Sequence, residues 1–196
     1  MNSSAASTGT DSFIQVWIRA LTKPSESTYA GIAASPKAKA STAFLWIFLC
    51  TFAPALVGVL VSGTQISQRL RDAGVDTGAL GGGLGSALVN FLCFTPFAAV
   101  LGVLGFIISV GVMQWIAKLF KGQGTFDQMA YTLGAITAPG LLLSAVLTLP
   151  SLVPVLGICS GLFSLLLSLY LLVLEVTAIK GVHKFGWGAA IGTFVI

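Results

Sequence analysis

The segment KLFKGQGTFDQMAYTLGAITAPGLLL, Lys118 to Leu143, joins two long apolar blocks through a short polar linker. Apolar blocks of this length are typical of helices that cross a bilayer, each of which needs about 20 residues. Of the 196 residues 8% are charged, whereas a soluble globular domain carries about 25%. So few charges cannot cover a soluble surface. The sequence therefore predicts one all-α, polytopic helical membrane bundle.

The apolar blocks predict four full spans and one shorter element. The full spans cover about residues 42–62, 88–118, 128–149 and 152–179. A partial element follows at 185–196, where about eleven helical residues rise only ~16 Å, half of a ~30 Å hydrocarbon core. It is a half-span, a re-entrant piece, or a fifth span whose end is absent. In this interpretation residues 41–196 form the transmembrane bundle and residues 1–40 form an N-terminal region.

An amphipathic helix is predicted within the N-terminal region, over residues 12–22. Ser12 and Gln15 fit a capping box, and apolar residues then recur at helical spacing until Pro24. The helix is too short to span. Trp17 and Arg19 favour a position in the headgroup plane. The alternative is that the helix packs on a partner subunit or on the rest of the protein.

The positive charges predict the orientation. One side of a four-span bundle holds eight of the ten Lys and Arg residues: Arg19, Lys23, Lys37, Lys39, Lys118, Lys121, Lys180 and Lys184. Only Arg69 and Arg71 fall in the loop 63–87 on the other side. This bias predicts a cytoplasmic N-terminus and linker. The charges form no clustered stripe, so nucleic acid is not an expected partner. The first residues lack the character of a cleavable signal peptide.

Small residues at helical spacing predict how the spans pack. They are Thr95, Ala98, Gly102, Gly105 and Ser109 on the second span, Gly134 and Ala138 on the third, and Gly157, Ser160, Gly161, Ser164 and Ser168 on the fourth. Small residues let helix backbones approach closely in lipid. We therefore expect the second, third and fourth spans to form a tight bundle. A homo-oligomer interface that uses the same residues is the alternative.

No motif in the chain indicates catalysis. The glycine-rich stretch at 78–85 lacks the Gly-Lys-Ser/Thr of a P-loop, which favours a flexible connector. Cys50, Cys93 and Cys159 lack metal-ligand spacing and fit small packing residues. No Ser/His/Asp set, paired carboxylates or three-ligand metal cluster can be assembled. We expect no enzymatic activity, catalytic residue, cofactor or metal.

The ionisable residues near the end of the fourth span have several interpretations. Glu175 is a solvated interfacial glutamate, a structural partner of Gln114 or Lys118, or a proton site. His183 lies beside Lys180 and is expected to contact lipid headgroups. The other strongly polar groups at membrane depth are Asn90 and Gln114, for which we expect interhelical hydrogen bonds.

The linker and the third span resemble the YIP-domain family, the Ypt/Rab-interacting membrane proteins and their bacterial relatives. The resemblance rests on Ala117-Lys118-Leu119-Phe120, on Gly122-Gln-Gly124-Thr125-Phe126, and on Tyr131 through Ala138-Pro139. The approach from Trp17 to Pro24 and Tyr29-Ala-Gly-Ile32 resembles the N-terminal segment of bacterial members. The resemblance implies a cytoplasmic N-terminal region and about five spans. The chain lacks the Asp-Leu-Tyr-Gly-Pro-type motif of eukaryotic members, whose partners are Rab GTPases, which argues against Rab binding.

The sequence favours a non-enzymatic membrane scaffold or accessory subunit of a larger membrane protein complex. Seven residues are expected at the membrane interface or in partner contacts: Trp17, Arg19, Lys118, Phe126, Asp127, Glu175 and His183. The expected partners are the lipid bilayer and other membrane subunits, and a homo-oligomer is an alternative. A transporter or channel component would need a polar path, for which few residues are available. A trafficking or membrane-shaping adaptor is the remaining alternative.

Overall fold

The computed structural model describes residues 12–72, 84–152 and 154–195, and nearly all of them are helical. In chain order the helices are α1 (Phe13–Thr22), α2 (Glu26–Ala33), α3 (Ala40–Asp72), α4 (Leu84–Leu119), α5 (Phe126–Thr148), α6 (Pro154–His183) and α7 (Trp187–Val195). A 3₁₀ turn at Leu149–Leu152 joins α5 to α6. These ranges contain no β-strand. The predicted all-α fold is confirmed.

Four of the helices are long and apolar enough to cross a membrane. Within the described ranges these spans are Ala40–Gly58, Phe91–Leu119, Phe126–Thr148 and Leu156–His183. They correspond to the four predicted spans, and α1 is the short apolar helix expected before them. The shorter last element is present as α7, which has 9 residues and packs against α6 and α4.

Helix α3 is longer than the sequence predicted. We expected a loop at 63–87, but α3 has 33 residues and continues to Asp72, and α4 already begins at Leu84. The residues that follow Gly63 contain no proline, so nothing stops the helix at the end of the apolar run. At 1.5 Å per residue α3 reaches about 50 Å, more than a ~30 Å hydrocarbon core needs. Most of the glycine-rich stretch lies outside the described residues.

Helix α5 is the centre of the bundle. From Met129 to Gly140 the helix is buried at every position except Thr137. The helix packs most extensively on α3, then on α6, and less on α4. The third span therefore has the first span as its main neighbour, whereas we expected the second and fourth. Gly134 makes this possible, since a Cβ added there would lie 2.6 Å from the Cβ of Ala43 on α3.

The small residues of α4 do not form its packed face. Ala98, Gly102, Gly105 and Ser109 are all exposed in the chain. Of this stripe helix α4 buries only Thr95, together with Ala99 and Val110, and its main neighbour is α3. The other four small residues lie outside the buried face. A stripe of small residues defines a helix face without showing which face meets a neighbour. The homo-oligomer alternative stays a prediction.

Helix α6 packs mainly through its last turns. Leu174, Ala178 and Ile179 near its C-terminal end are fully buried. Among the predicted packing residues, Gly157 and Ser164 are half-buried, whereas Gly161 and Ser168 are exposed. A Cβ on Gly161 would meet nothing within 4 Å. Ala138 on α5, in contrast, is fully buried. The close packing of the fourth span is therefore displaced towards one end.

Candidate partner-binding face at one end of the bundle

Three segments that are distant in sequence meet at one end of the bundle. They are the helices α1 and α2, the α4–α5 connection at residues 120–125, and the end of α6 with its turn into α7. We call residues 120–125 the hinge, and the surface that the three segments form the hinge face. Helix α2 packs on both α6 and α5, and α1 packs on α5. Most residues predicted to bind partners lie here.

His183 is the residue around which the hinge folds. Its side chain is 1% exposed, whereas the sequence led us to expect a contact with lipid headgroups. Nδ1 accepts a hydrogen bond from the Gly124 N–H at 3.2 Å, and Nε2 lies 3.3 Å from the Met129 sulfur. The ring stacks on Phe185 at 5.4 Å. An Nδ1 that accepts leaves the proton on Nε2, so the neutral ring satisfies both contacts.

The two hinge glycines are required by the closeness of α6. A Cβ on Gly122 would lie 2.5 Å from Nδ1 of His183 and 2.9 Å from the carbonyl oxygen of Ala117. A Cβ on Gly124 would lie 2.5 Å from Cγ1 of Val182. The Gly-x-Gly spacing therefore places two positions without side chains against the end of α6. The sequence showed the spacing, but it did not show the histidine that fills the space.

Every backbone polar group of these two glycines is satisfied within the protein. The Gly122 N–H donates to the carbonyl of Ala117 at 2.8 Å, and its carbonyl accepts from the Lys118 ammonium at 3.1 Å. The Gly124 N–H donates to His183, and its carbonyl accepts from the Gln114 amide at 2.9 Å. Buried backbone groups need such partners. Gln114 and Lys118 therefore hold the hinge in one conformation.

Both helix ends at the hinge face carry a lysine in the left-handed backbone region. Lys121 has φ +62° and Lys184 has φ +55°. The bond from the Gly122 N–H to the Ala117 carbonyl is the 6→1 bond of a Schellman motif at the end of α4, and the Lys184 N–H donates to the Lys180 carbonyl at 2.8 Å at the end of α6. A left-handed residue other than glycine costs about 1–3 kcal/mol. The backbone conformation alone would favour glycine at both positions, which are exposed. The presence of a lysine at each of them therefore needs a further explanation.

Asp127 joins the first turns of two membrane-spanning helices. It stands in the first turn of α5, and its Oδ1 accepts a hydrogen bond from the Ala40 N–H of α3 at 3.0 Å. The first N–H groups of a helix have no partner within the helix. A carboxylate at this end also interacts favourably with the helix dipole. Phe126 beside it is half-buried and packs against Phe44 of α3 at 6.5 Å. These predicted partner residues therefore have structural contacts.

We expect Asp127→Ala to lower the free energy of unfolding by about 1 kcal/mol, since it leaves the Ala40 N–H without its acceptor. Asp127→Asn retains an oxygen at this position and should cost less. The measurement is equilibrium unfolding in mixed detergent micelles, followed by helical circular dichroism. Equal stability of the wild type and the alanine variant would show that this cap contributes nothing.

Helix α2 is a docked element that the sequence did not predict. Gly181 of α6 allows its approach, since a Cβ there would lie 2.9 Å from the carbonyl oxygen of Glu26. Tyr29 is fully buried and donates to the Ala20 carbonyl at 2.8 Å. Burial, and then the charge of Tyr170, raises the pKa of Tyr29, so the hydroxyl stays a donor. A local signal existed, because Ser25 accepts from the Thr28 N–H as an N-cap.

Lys180 fastens the exposed edge of α2. Its ammonium pairs with the carboxylate of Glu26 and lies 4.2 Å from the centre of the Trp187 ring. The Glu26 side chain is 53% exposed. Such an ion pair contributes little to stability, so the close backbone approach at Gly181 holds α2 more than the pair does.

Glu175 lies on α6 before the hinge face and is half-buried. No hydrogen bond or ion pair joins it to another residue in the described ranges. Gln114 and Lys118, its predicted partners, bind the hinge carbonyls instead. Of the three interpretations of Glu175, the pairing with Gln114 or Lys118 is therefore not observed, and the solvated glutamate and the proton site stay predictions. The side chain of Asn90 lies outside the described side chains.

Helix α1 has one packed side and one exposed apolar side. It buries Val16 and Ala20 against the bundle. Its exposed side carries Phe13, Ile14 and Ile18, each more than half exposed. The sequence left open whether α1 packs on the protein or lies in the membrane interface. The packing is confirmed, and the position in the interface stays a prediction.

Trp17 and Arg19 lie between these two sides. Trp17 packs edge-to-face against Phe13 and against Trp46 of α3, at 5.4 and 5.7 Å between ring centres. Its indole nitrogen is buried and finds no acceptor among the described residues. Arg19 stands half-buried in the last turn of α1. Tyr131 of α5 packs against Trp46 at 5.0 Å and completes the aromatic cluster.

The hinge face offers binding chemistry. Among the described residues, no three His, Cys, Asp or Glu side chains lie together as metal ligands would. Glu26 on α2 is an exposed carboxylate of this face, and the exposed hydrogen-bond donors include the ammoniums of Lys121 and Lys184 and the amide of Gln123. These donors can form hydrogen bonds with an acidic or carbonyl-rich surface.

The four apolar spans and the polar face at their end define the chain as a polytopic integral membrane protein. The Yip1 domain matches residues 18–196, a range that includes all four spans and the hinge. The chain therefore belongs to the Yip1 domain family, as the linker motif indicated. No significant match to a curated protein or to a solved structure was found.

Proposed function

We propose that the protein is a non-enzymatic membrane scaffold or accessory subunit that binds a partner subunit through the hinge face. The observation that carries this proposal is the pair of exposed lysines at positive φ, Lys121 and Lys184. Glycine would satisfy the backbone at both positions at lower cost. Lysine at these positions lowers the stability of the fold and supplies a positive charge. Strained residues of this kind concentrate at functional sites.

The rigid support beneath these lysines favours binding over catalysis or transport. The backbone groups of Gly122 and Gly124 are used internally, and His183 is held by contacts on both ring nitrogens. A transporter would need polar side chains along a water-filled path, yet Gln114 is engaged by the hinge. A buried support of this kind under two fixed charges suits recognition of an acidic surface.

We further propose that the hinge face is cytoplasmic. Arg19, Lys37, Lys118 and Lys180 lie at or beside this end of the bundle, together with the two left-handed lysines. Membrane proteins carry an excess of lysine and arginine on the cytoplasmic side. A partner would then be a membrane subunit with an acidic cytoplasmic segment.

Affinity purification from native membranes in a mild detergent tests the proposal. The wild type is expected to bring down a larger complex. Lys121→Gly/Lys184→Gly should lose the partner, although its free energy of unfolding rises by about 1 kcal/mol per site because the strain is removed. Lys121→Arg/Lys184→Arg retains both charges and should retain the partner.

Opposite changes in stability and in binding separate this role from a structural one. A wild type that purifies only as a monodisperse species of 20.2 kDa would contradict the proposal. Retention of the complex by the double glycine variant would contradict it equally.

A further inference from the structure

An open groove of about 550 Å³ lies beside α1 and is lined by no residue of the hinge. The start of α1, the α2–α3 connection, the first turns of α3 and one residue of α5 form its walls. The residues that matter for its chemistry are Phe13, Lys37, Lys39, Thr42, Trp46 and Tyr131. The groove combines two cations, a hydroxyl and three aromatic rings.

The mouth of the groove is cationic. Lys37 and Lys39 are exposed, and neither ammonium forms an ion pair or hydrogen bond with another residue in the described ranges. Thr42 is half-buried on the same wall, three residues further into the chain. Two ammonium groups and a hydroxyl around one opening can donate to the oxygens of a phosphate.

The floor of the groove is apolar and aromatic. Trp46 is 7% exposed and Tyr131 is 3% exposed, and their rings pack against each other. Phe13 on α1 is 51% exposed and forms the outer wall. This floor suits an acyl chain or a glycerol backbone better than a polar peptide.

The groove begins where two spans begin. The membrane-spanning parts of α3 and α5 start at Ala40 and Phe126. At 1.5 Å per residue, Trp46 lies about 9 Å and Tyr131 about 8 Å below those starts. The lysines precede Ala40 in the chain. The groove therefore descends from the level of the headgroups into the upper part of the hydrocarbon region.

We infer that this groove binds one anionic glycerophospholipid, with its phosphate between Lys37 and Lys39 and an acyl chain along Phe13 and Trp46. The unpaired cations select a lipid with net negative charge, and the aromatic floor holds its apolar part. The bound lipid would fasten α1 to the start of α3. Neither Lys121 nor Lys184 lines the groove. Lipid binding can therefore be refuted without refuting the proposed function.

The test is native mass spectrometry of the full chain released from nanodiscs that contain equal amounts of phosphatidylglycerol and phosphatidylcholine. The wild type is expected to retain one phosphatidylglycerol molecule in preference to phosphatidylcholine. Lys37→Gln/Lys39→Gln should lower that preference by about 30-fold, given the usual contribution of two lysines near an anionic surface. Lys23→Gln/Arg71→Gln removes the same charge elsewhere and should leave the preference unchanged.

A second variant separates the contribution of the lipid headgroup from that of the acyl chain. Phe13→Ala removes an exposed wall residue and should lower retention of both lipids without changing the preference between them. Equal retention of the two lipids by the wild type would overturn the inference. So would an equal loss of preference in the two double variants, because the lost charge would then act without a specific site.

Discussion

His183→Ala is expected to lower the free energy of unfolding by about 3 kcal/mol, the largest effect of any single change proposed for this protein. The side chain is buried, so its removal leaves a cavity at the junction of α4, α5 and α6. It also removes the acceptor of the Gly124 N–H and the contact with Met129. The hinge would then lose the group that holds its second glycine.

His183→Asn is the matched control. Its side-chain oxygen stands near the position of Nδ1 and can accept from the Gly124 N–H, so this variant should retain about 1–2 kcal/mol more than the alanine variant. Gly186→Ala changes the same turn where a Cβ would meet nothing within 4 Å, and it should have little effect. Equilibrium unfolding in mixed micelles measures all three. A cost below about 0.5 kcal/mol for His183→Ala, as for a surface residue, would contradict the buried position.

Gly134→Ala should cost about 1–3 kcal/mol by overpacking the interface between α3 and α5. The added Cβ would lie 2.6 Å from the Cβ and 3.1 Å from the Cα of Ala43. Neither atom can rotate away, because one is bonded directly to the backbone and the other belongs to it. The two central helices would have to separate, and the aromatic contacts between Trp46 and Tyr131 would weaken with them.

Two further variants make this prediction specific. Gly105→Ala on α4 adds a methyl group where nothing lies within 4 Å, so its stability should stay equal or rise by up to about 1 kcal/mol through helix propensity. Ala43→Gly removes the atom that the new methyl group meets and should recover part of the loss in the double variant. If Gly105→Ala and Gly134→Ala cost the same, the account of the central interface is wrong.

The membrane fold could be predicted because its cause is local. Apolar runs of about 20 residues and the scarcity of charge fix the spans wherever the helices pack. The start of α5 was also readable, since Thr125 and Gln128 form a capping box that places the first residue at Phe126. Hydropathy alone starts this span at Gln128, two residues after the start that the capping box indicates.

The packing could not be predicted because its causes are distant in sequence. The bond between Gly124 and His183 joins residues 59 positions apart, and the cap from Asp127 to Ala40 joins residues 87 positions apart. Small residues on α4 indicated a packed face, yet only Thr95 of that stripe is buried, together with Ala99 beside it. Periodicity shows which residues share one face of a helix. Which face packs against a neighbour depends on where the other helices lie.

The candidate site was predicted in part, and for a different reason than the structure supports. The sequence indicated that the linker between the second and third spans is distinctive, through its Gly-x-Gly spacing. It could not show that Lys121 and Lys184 adopt positive φ, since lysine is not the residue expected there. These strained lysines support the proposed binding role. His183 and Asp127 stabilise the helix ends below them.

Photocrosslinking in native membranes from Gln123 tests the central claim most directly. This side chain is exposed on the hinge beside Lys121, and a photoreactive residue there would lie within reach of any subunit bound to the hinge face. We predict one discrete adduct of higher mass, which disappears in the Lys121→Gly/Lys184→Gly background. Absence of any protein adduct, or an adduct of equal intensity in the double glycine background, would contradict the account.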